Sequence, residues 1–461
     1  MEFSLSRKEI YFDTTFSQIG TSTEVVLLRN TGNSPLIFEK IYLVGGSQSK
    51  FRINVDGEPG PLVSNLRIAP RDSAYIFVEA TIDPTGTGEL LALDSIIFEP
   101  RGGLSRSLPL IAPGADATYI WPTDTLIFTY SKIPYSILPC GGQWNNQKPI
   151  VVFGWAIIDS SCTFTITEGT KVHFWRNGGM WVYRGGTLKA LGAVNNHVVF
   201  TSSRLGISHQ DRPGQWDRIL IHEGSVENEF RNVKMFNGFI GIQAEPLGLN
   251  DKNYPRQLTL QNVEISNMSG AGILSRDYNI DGYNVIVSDC GSYGAALTFG
   301  GRYRFYHSTF ANFWRYGARK NPTFFCANYT ADVYNINPNS DYIGRPIEVL
   351  LANCIIAGNM EQEFGLDSLK TVSTQFLADR CLLRVKSDFK MAVSRFPDCI
   401  REANPGFNGP DWNDYTLTES SPARNLGKLQ YILMYPLQLA NDFKGNPRTI
   451  DIGPDLGAYE Y

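Results

Sequence analysis

Short runs in which apolar and polar residues alternate recur along the chain, and clusters of turn residues separate them. Phe51, Ile53 and Val55 alternate with polar residues before the turn residue Asp56. Alternation with a period of two residues is typical of strands that bury one face. The pattern therefore predicts an all-β protein, with the segment 361–380 as the best candidate for a short helix.

The first part of the chain is predicted to form a domain of its own. About seven short strands, separated by turns at intervals of roughly 8 to 15 residues, are typical of an immunoglobulin-like β-sandwich. The small residues Pro113, Gly114 and Ala115 follow the last of these strands and mark a boundary. We therefore expect a sandwich over residues 1–115 and a second domain over residues 116–461.

Five segments of the second domain share a pattern: Asn, a small or β-branched residue, any residue, an apolar residue, any residue, and then Asn, Asp or Gly. They begin at Asn232, Asn262, Asn284, His307 and Asn353, where His307 replaces the Asn. The intervals are 30, 22, 23 and 46 residues, and the last interval is twice 23. A repeat of 22–23 residues indicates a solenoid.

The period and the composition select one kind of solenoid. The Leu ladder of leucine-rich repeats is absent, and helical repeats are longer and richer in Ala and Leu. A coil of this length holds about three short strands, as in a parallel β-helix, and the domain has room for roughly ten to twelve coils. The recurring Asn is predicted at the bend before a strand, where its side chain bonds the backbone and stacks on the Asn of the next coil.

Charge and hydropathy exclude several partners. The chain of 461 residues has a formal net charge of −4, only 19% charged residues and no basic tail, so we expect no nucleic-acid partner. The longest apolar run, 149–158, is too short for a membrane helix, and we expect no transmembrane segment. The first residues do not form a secretory signal. A cytoplasmic location does not follow, because a signal could lie outside this sequence.

The seven cysteines are scattered and include no Cys-x-x-Cys pair, so we expect no zinc site. Their odd number leaves at least one thiol unpaired, and the sequence does not fix which of the others pair. Most are expected to be small buried residues. Cys354 has the same phase in the repeat as Val263 and Val285, which predicts that it stacks with them in the core.

Three stretches carry a resemblance to a known class of proteins. They are the entry to the second domain, 166–172 leading to 185–192, the Asn repeat itself, and the tail segments 421–427, 442–448, 451–453 and 457–460. Over about residues 117–461 the chain resembles the right-handed parallel β-helix repeat proteins of bacterial cell surfaces, especially the Bacteroidota type with an N-terminal immunoglobulin-like domain. The tail resembles the capping end of these helices. The resemblance implies export and a surface location, often with a lipid anchor, but the fold hosts many activities.

Strand alternation yields a first candidate surface. If Val172, Phe174 and Val182 face inward, their neighbours face outward. These neighbours are His173, Trp175, Trp181 and Tyr183. Exposed Trp and Tyr side chains stack on sugar rings or anchor partner proteins. The alternative is that another part of the chain covers them.

The densest basic and aromatic stretch, from Arg302 to Lys320, yields a second candidate surface. Its candidate contact residues are Arg302, Arg304, Tyr306, Trp314, Arg315, Arg319 and Lys320. Such groups suit an acidic glycan, and a polysaccharide lyase needs a base and a cation to neutralise the substrate carboxylate. The alternative is a solvated face with a loop packed by aromatic residues. The outward acids Glu264 and Asp289 do not recur as the in-phase pair of an inverting glycoside hydrolase.

A weak metal signal lies next to the repeat. Asp277, Asn279 and Asp281 match the start of a calcium loop, with Gly282 in the sixth position. The twelfth position holds Ser288 instead of Glu, so a plain turn is the alternative. Apart from this possible calcium ion we expect no cofactor.

Together these features favour a surface-exposed or secreted protein that acts as a non-catalytic scaffold for glycans or proteins. Its expected partners are a polysaccharide or a cell-surface protein. One alternative is a carbohydrate-active enzyme, above all a lyase on an acidic polysaccharide. The other is an accessory lipoprotein subunit of an outer-membrane complex, and in each case the expected location is the outer cell surface or the medium.

Overall fold

The structure is a computed structural model that describes residues 3–82, 90–248, 255–332, 341–402, 404–449 and 452–461. The chain divides into two compact units. The first runs to Ala117 and includes Arg204–Gln210, and the second consists of Thr118–Ser203 and Asp211–Tyr461. Short strands with alternating burial make up most of both units, so the protein is all-β, as predicted.

The first unit is an immunoglobulin-like β-sandwich. Its strands are β1 (Phe3–Leu5), β2 (Ile10–Tyr11), β3 (Thr15–Phe16), β4 (Glu24–Asn30), β5 (Leu36–Leu43), β6 (Phe51–Val55), β7 (Glu58–Pro59), β8 (Leu62–Ile68), β9 (Ser73–Ala80), β10 (Leu91–Pro100) and β11 (Arg106–Ala115). One sheet has the order β1-β4-β9-β6-β7, and the other has the order β2-β11-β10-β5-β8 with β3 beside β11. Alternate residues of each strand are buried, and Phe38, Ile76 and Phe98 join the two sheets in one core. Single-turn 3-10 helices lie at Gly46–Gln48 and Ile207–His209.

The second unit is a parallel β-helix followed by a C-terminal tail. The strands of the helix are β12 (Thr118–Ile120), β13 (Asp124–Ile127), β14 (Lys132–Ile137), β15 (Gln143–Trp144), β16 (Ile150–Ile158), β17 (Thr163–Thr167), β18 (Lys171–Val182), β19 (Thr187–Leu191), β20 (Val198–Ser202), β21 (Ile219–Ile221), β22 (Ser225–Phe236), β23 (Ile240–Ala244), β24 (Arg256–Met268), β25 (Ala271–Tyr283), β26 (Ile286–Cys290), β27 (Ala295–Tyr306), β28 (Thr309–Asn312), β29 (Phe324–Ala327), β30 (Tyr329–Ala331), β31 (Tyr342–Gly344), β32 (Ile347–Ala352), β33 (Ile355–Gly358), β34 (Phe364–Asp367), β35 (Thr374–Asp379), β36 (Leu382–Leu383) and β37 (Ile400–Arg401). The strands β30 and β31 form a separate antiparallel hairpin, and β13 pairs with β14 in the same way.

Each coil of the helix has three sides. In the coil 256–275, residues 256–261 lie on face C, 263–268 on face A and 271–275 on face B, and the next coil repeats this order. Within the described residues, ten successive parallel pairings join eleven strands on face A, which agrees with the predicted number of coils. Inward side chains form continuous columns. One such column, fully buried, is Ile265, Val287, Phe310, Ile356 and Leu383.

The predicted Asn ladder is confirmed. The Nδ2 of Asn262 donates to Oδ1 of Asn232, and the Nδ2 of Asn284 donates to Oδ1 of Asn262, both at 2.9 Å. Farther along, the Nδ2 of Asn353 lies 2.8 Å from Nε2 of His307. All five residues have a positive φ, between 44° and 55°, which Asn tolerates better than most residues. Burial lowers the pKa of His307 well below its usual value, so this side chain stays neutral and continues the ladder.

The first prediction concerns the centre of this ladder. Replacing Asn262 with Ala removes one hydrogen-bond donor and one acceptor and leaves a Cβ residue at φ 52°, so we expect unfolding to become easier by about 2–4 kcal/mol. Asn262→Gly restores the backbone freedom and is expected to cost less. Urea unfolding followed by tryptophan fluorescence measures both, because all eight tryptophans belong to the second unit. Unchanged stability in both variants would contradict a stabilising role of the ladder, and a larger loss in Asn262→Gly than in Asn262→Ala would contradict the backbone strain.

The tail lies along the helix. It contains the hairpin β38 (Phe407–Gly409) and β39 (Asp414–Leu417), a 3-10 turn at Pro410–Trp412, and the helices α1 (Leu429–Met434) and α2 (Pro436–Leu439). Its apolar side chains cover outward-facing residues of face A. These are Phe443, Leu456, Ala458 and Tyr459 of the tail against Ile286, Ala311, Ile355 and Ala357 of the helix. The tail was expected as an end cap, but these contacts place it on the side, where it covers outward apolar residues of face A.

Two further predictions have clear outcomes. The predicted helix at 361–380 is wrong, because strands β34 and β35 occupy the segment and α1 and α2 lie in the tail. Residue 451 of the tail segment 451–453 lies outside the described residues. Cys354 is fully buried in the core as predicted.

Candidate functional site

An outward row of aromatic side chains crosses the first coils. Phe153 on β16 pairs with Trp175 on β18. Trp121 directly follows the residue of β12 that pairs with Val152, so it lies beside Phe153 on the preceding coil. The rings of Trp121 and Phe153 stack at 3.9 Å between centroids and 10° between planes, and Phe153 and Trp175 lie 5.6 Å apart. Trp121 is 49% exposed and the other two are partly exposed. We call these three residues the aromatic column.

A second aromatic group lies on face B of the same coils. Trp155 and Trp181 meet edge to face at 6.4 Å, and Trp181 meets Tyr183 at 5.9 Å. Both Trp181 and Tyr183 also contact His222, whose Nδ1 lies 2.9 Å from the carbonyl oxygen of Glu245. The two groups share strands β16 and β18, which turn from face A to face B near Gly154 and Gly178.

His173 does not belong to this surface, although the sequence predicted that it faces outward with the tryptophans. It is buried, and its Nδ1 lies 2.7 Å from the carbonyl oxygen of Ser202. Burial lowers the pKa of His173 to about 4, and the hydrogen bond to Ser202 opposes this shift. The alternation along β18 predicted the outward direction of the His173 side chain correctly, but atoms outside this strand cover it.

Face B continues into a polar network on the next coils. Four residues occupy equivalent positions at the ends of the face B segments of four successive coils: Tyr183, His222, Glu245 and Arg276. Gln243 links them sideways: its Nε2 donates to Glu245 Oε1 at 2.7 Å, and its Oε1 accepts from Arg218 Nη1.

The charged side chains of this network pair with one another. Arg218 pairs with Asp217 at 2.6 Å, and Arg276 lies 3.7 Å from Glu245 Oε2. The two carboxylates and the two guanidinium groups therefore balance. Sequence reasoning missed these residues, and also Phe153 and Trp155. Phe153 precedes Trp175 by 22 residues, the period of the Asn repeat, which was the available signal.

The predicted basic surface is largely neutralised. Arg302 pairs with Asp281 at 3.2 Å, and Arg304 pairs with Glu348 at 2.7 Å. Arg319 is a correction, since its side chain is only 1% exposed and pairs with the fully buried Glu363. The acids stand on neighbouring coils, so the sequence alone did not bring them to these arginines.

Tyr306 is also buried, and not available for contact. Its ring stacks on Tyr283 at 5.4 Å and packs against Tyr435 from the tail at 4.8 Å. Trp314 is partly exposed and meets Tyr316 at 5.0 Å.

The fully exposed candidates of the basic stretch lie near its end. Arg315 and Lys320 are exposed, and Arg315 donates to the carbonyl oxygen of Asp411 at 2.5 Å. The structure therefore does not assemble the continuous patch that the sequence suggested between Arg302 and Lys320.

The calcium hypothesis placed Asp277, Asn279 and Asp281 in a loop or a turn. They lie instead at alternate outward positions of strand β25. Asp277 is paired with Arg256 and Arg345, and Asp281 is paired with Arg302, so arginines occupy carboxylates that a calcium ion would need. In the parts of the chain that the structure describes, no cluster of His, Cys, Asp and Glu could hold a metal ion.

A cleft of about 620 Å³ lies near the last coils. Its lining is mostly charged and consists of Glu361, Arg384, Val385, Lys386, Ser387, Asp388, Arg401 and Glu402. The guanidinium of Arg401 donates to the carbonyl oxygens of Ser387 and Phe389, so it holds the loop instead of facing a ligand. Of the helices formed by the described residues, none has the length and apolar character to cross a membrane.

No protein-family model and no curated protein matches the chain. Among solved structures, the catalytic domain of a GH87 alpha-1,3-glucanase in complex with nigerose is similar at 11% identity, over 83% of this chain and 89% of that chain, with a TM-score of 0.23. The E. coli chaperone DraB is 14% identical over 24% of this chain and 54% of its own, with a TM-score of 0.17. A protein of unknown function from Porphyromonas gingivalis is 12% identical over 32% of this chain and 60% of its own, with a TM-score of 0.20. Because the TM-scores are this low, these similarities define neither a family nor a function for the chain.

Proposed function

We propose that this protein is a non-catalytic glycan-binding scaffold that works on the cell surface or in the medium. The observation that carries the proposal is the aromatic column of Trp121, Phe153 and Trp175, with the second aromatic group beside it on face B. Aromatic faces bind the apolar faces of sugar rings, while nearby polar groups satisfy the hydroxyls.

The geometry of the coils supports an extended ligand. Neighbouring strands of a sheet lie about 4.8 Å apart, so side chains on successive coils repeat at about that distance. This distance is comparable to the length of one sugar unit. Because Trp121 and Phe153 stack on each other, a chain lying along the helix would meet the outer edges of these two rings and then the ring of Trp175. The balanced charges of Asp217, Arg218, Glu245 and Arg276 favour a ligand rich in hydroxyl groups over a strongly charged one.

The disulfide between Cys140 and Cys162 supports the proposed location. Disulfides persist mainly in secreted and surface proteins and are rare in reducing compartments. We propose export on this ground, with a polysaccharide or a cell-surface protein as the partner and a lipid anchor as one means of attachment. Fractionation of the native cells tests the proposal, and recovery of the protein only from the cytoplasm would contradict it.

The second prediction tests the aromatic column. Trp175→Ala is expected to weaken the binding of a glycan ligand about 30-fold, because a buried aromatic contact at the centre of an interface contributes about 2 kcal/mol. The ligand is first selected from a glycan array and its affinity is then measured by calorimetry. The matched control is Trp412→Ala, which removes a tryptophan that is 86% exposed and lies in the tail.

We expect the control to leave the affinity unchanged. Equal losses in both variants would contradict the proposed site. A glycan array without any bound ligand would refute the proposed function itself.

The alternative function is a lyase on an acidic polysaccharide. The observation that favours it is the polar network on face B, where Tyr183 and His222 lie next to Glu245 and Arg276. Such lyases use Tyr, His or Arg as the base. Incubation with uronate polymers, with and without calcium, would reveal unsaturated products by ultraviolet absorbance. Product formed by the wild type and lost in Tyr183→Phe would establish the lyase in place of the scaffold.

A further inference from the structure

Three free cysteines stack at the C-terminal end of the helix. Strand β36 pairs with β33 and β37 in a register that aligns Cys354, Cys381 and Cys399, each one residue before its strand. The backbone N–H of Cys354 lies 3.4 Å from Sγ of Cys381, and that of Cys381 lies 3.3 Å from Sγ of Cys399. All three side chains pack on the helix core, but only Cys399 is partly exposed.

The same chain contains an oxidised pair in an equivalent arrangement. Cys140 and Cys162 precede β15 and β17, which pair so that the two cysteines are aligned on successive coils. Their Cα atoms are 4.8 Å apart and they form a disulfide. Aligned residues on neighbouring parallel strands are about 4.8 Å apart, a distance within the range of disulfides. The spacing of the coils is therefore compatible with a disulfide where two cysteines align on successive coils.

We propose that Cys381 and Cys399 form a second, reversible disulfide that ties the 382–399 segment to the last coil. Cys399 is the entry point for an oxidant because it is the exposed member of the stack. Cys354 stays reduced, because it is fully buried and its neighbour Cys381 is consumed in the bond.

The chemistry is a thiol–disulfide exchange with a small disulfide such as oxidised glutathione. The Cys399 thiolate attacks one sulfur, which forms a mixed disulfide and releases one glutathione thiolate. The released glutathione thiolate takes the proton of the Cys381 thiol, whose sulfur attacks Sγ of Cys399 and displaces the second glutathione as a thiolate. That thiolate takes up the proton that the Cys399 thiol had lost, so two protein thiols are oxidised and one glutathione disulfide is reduced to two glutathione thiols. The hydrogen bond from Cys381 lowers the pKa of the Cys399 thiol, which favours the thiolate in the first step.

The third prediction is a count of thiols and a linked peptide. The folded full chain is incubated with oxidised glutathione, alkylated in denaturant and digested without reduction. We expect the five free thiols to fall to three, and mass spectrometry to find a peptide pair joined through Cys381 and Cys399. In Cys399→Ser, four thiols are expected to remain, whereas Cys354→Ser keeps the link.

Thermal unfolding offers a second measurement. Oxidised wild-type protein is expected to melt at a higher temperature than the untreated protein, and Cys399→Ser is expected to show no such shift under the same treatment. Five remaining thiols in the treated wild type, or a link from Cys381 to Cys354, would overturn the proposal.

Discussion

Replacing Glu363 with Ala is expected to lower the free energy of unfolding of the β-helix by about 3–5 kcal/mol, the usual cost of breaking a buried ion pair on one side. Glu363 is fully buried and its carboxylate accepts hydrogen bonds from three residues. Arg319 donates from Nη1 at 3.1 Å and from Nη2 at 2.5 Å, Thr323 from its backbone N–H at 3.0 Å and its hydroxyl at 2.6 Å, and Met360 from its backbone N–H at 2.7 Å.

The loss would leave the Arg319 guanidinium buried without its counter-charge, at 1% exposure. It would also release the loop between β28 and β29, since Arg319 bonds the carbonyl oxygen of Asn312 as well as Glu363. The arginine that looked like a ligand contact in the sequence is therefore a structural element of this loop.

The matched control is Glu348→Ala. Glu348 also pairs with an arginine, Arg304, at 2.7 Å, but its side chain is 43% exposed. Water replaces such a partner easily, and we expect a change of about 0–1 kcal/mol. Urea unfolding monitored by tryptophan fluorescence measures both variants, and a loss of similar size in the two would refute the role of burial.

Sequence reasoning reached the architecture because the architecture repeats. Asn262 and Asn284 stand 22 residues apart and occupy the same bend, so a period found in the chain predicts a stack in space. Alternation along β18 likewise predicted the direction of Trp175 and Trp181. The repeat period and the alternation along a strand can both be found in a single sequence.

The sequence did not predict the ionic contacts between coils. Arg319 and Glu363 lie 44 residues apart, and the inserted segment that contains β30 and β31 separates them. Arg302 and Asp281 lie 21 residues apart, close to the repeat period, but their contact is diagonal to the strand register. The cover of His173 depends on atoms outside its own strand. Predicting these contacts requires the strand register, and the contacts determine which candidate residues remain exposed.

The contacts of the tail were also not predicted, because they depend on which side of the helix the tail covers. Arg448 is fully buried, and its guanidinium reaches Oε2 of Glu460 at 2.9 Å, Oδ1 of Asn284 at 2.8 Å and the carbonyl oxygen of Gly457 at 3.0 Å. One arginine thus connects the tail to the Asn ladder. The resemblance marked this residue as part of a motif, but the sequence could not name its partners.

Arg448→Met is therefore expected to lower the free energy of unfolding by about 3–5 kcal/mol, because it leaves Glu460 buried without a counter-charge. The control within the same motif is Lys444→Met, which removes an exposed cation that lies 5.3 Å from the ring of Tyr459. We expect the control to cost less than about 1 kcal/mol. Urea unfolding measures both, and an unaffected Arg448→Met would show that the tail does not stabilise the helix through this contact.

The pH dependence of stability tests the same cluster independently. Burial raises the pKa of Glu460 from 4.5 to about 7, against the opposing effects of Arg448 and of the backbone hydrogen bond from Asp455. The folded state then holds this proton more tightly than the unfolded state does, so the contribution of Glu460 is complete below pH 4.5 and is lost as the pH rises to about 7. The stability of the wild type relative to Glu460→Gln should fall across that interval. Because the comparison cancels the titration of the other groups, a flat difference would mean that folding leaves the pKa of Glu460 unchanged, and a rise with pH would mean that the ion pair with Arg448 prevails over burial.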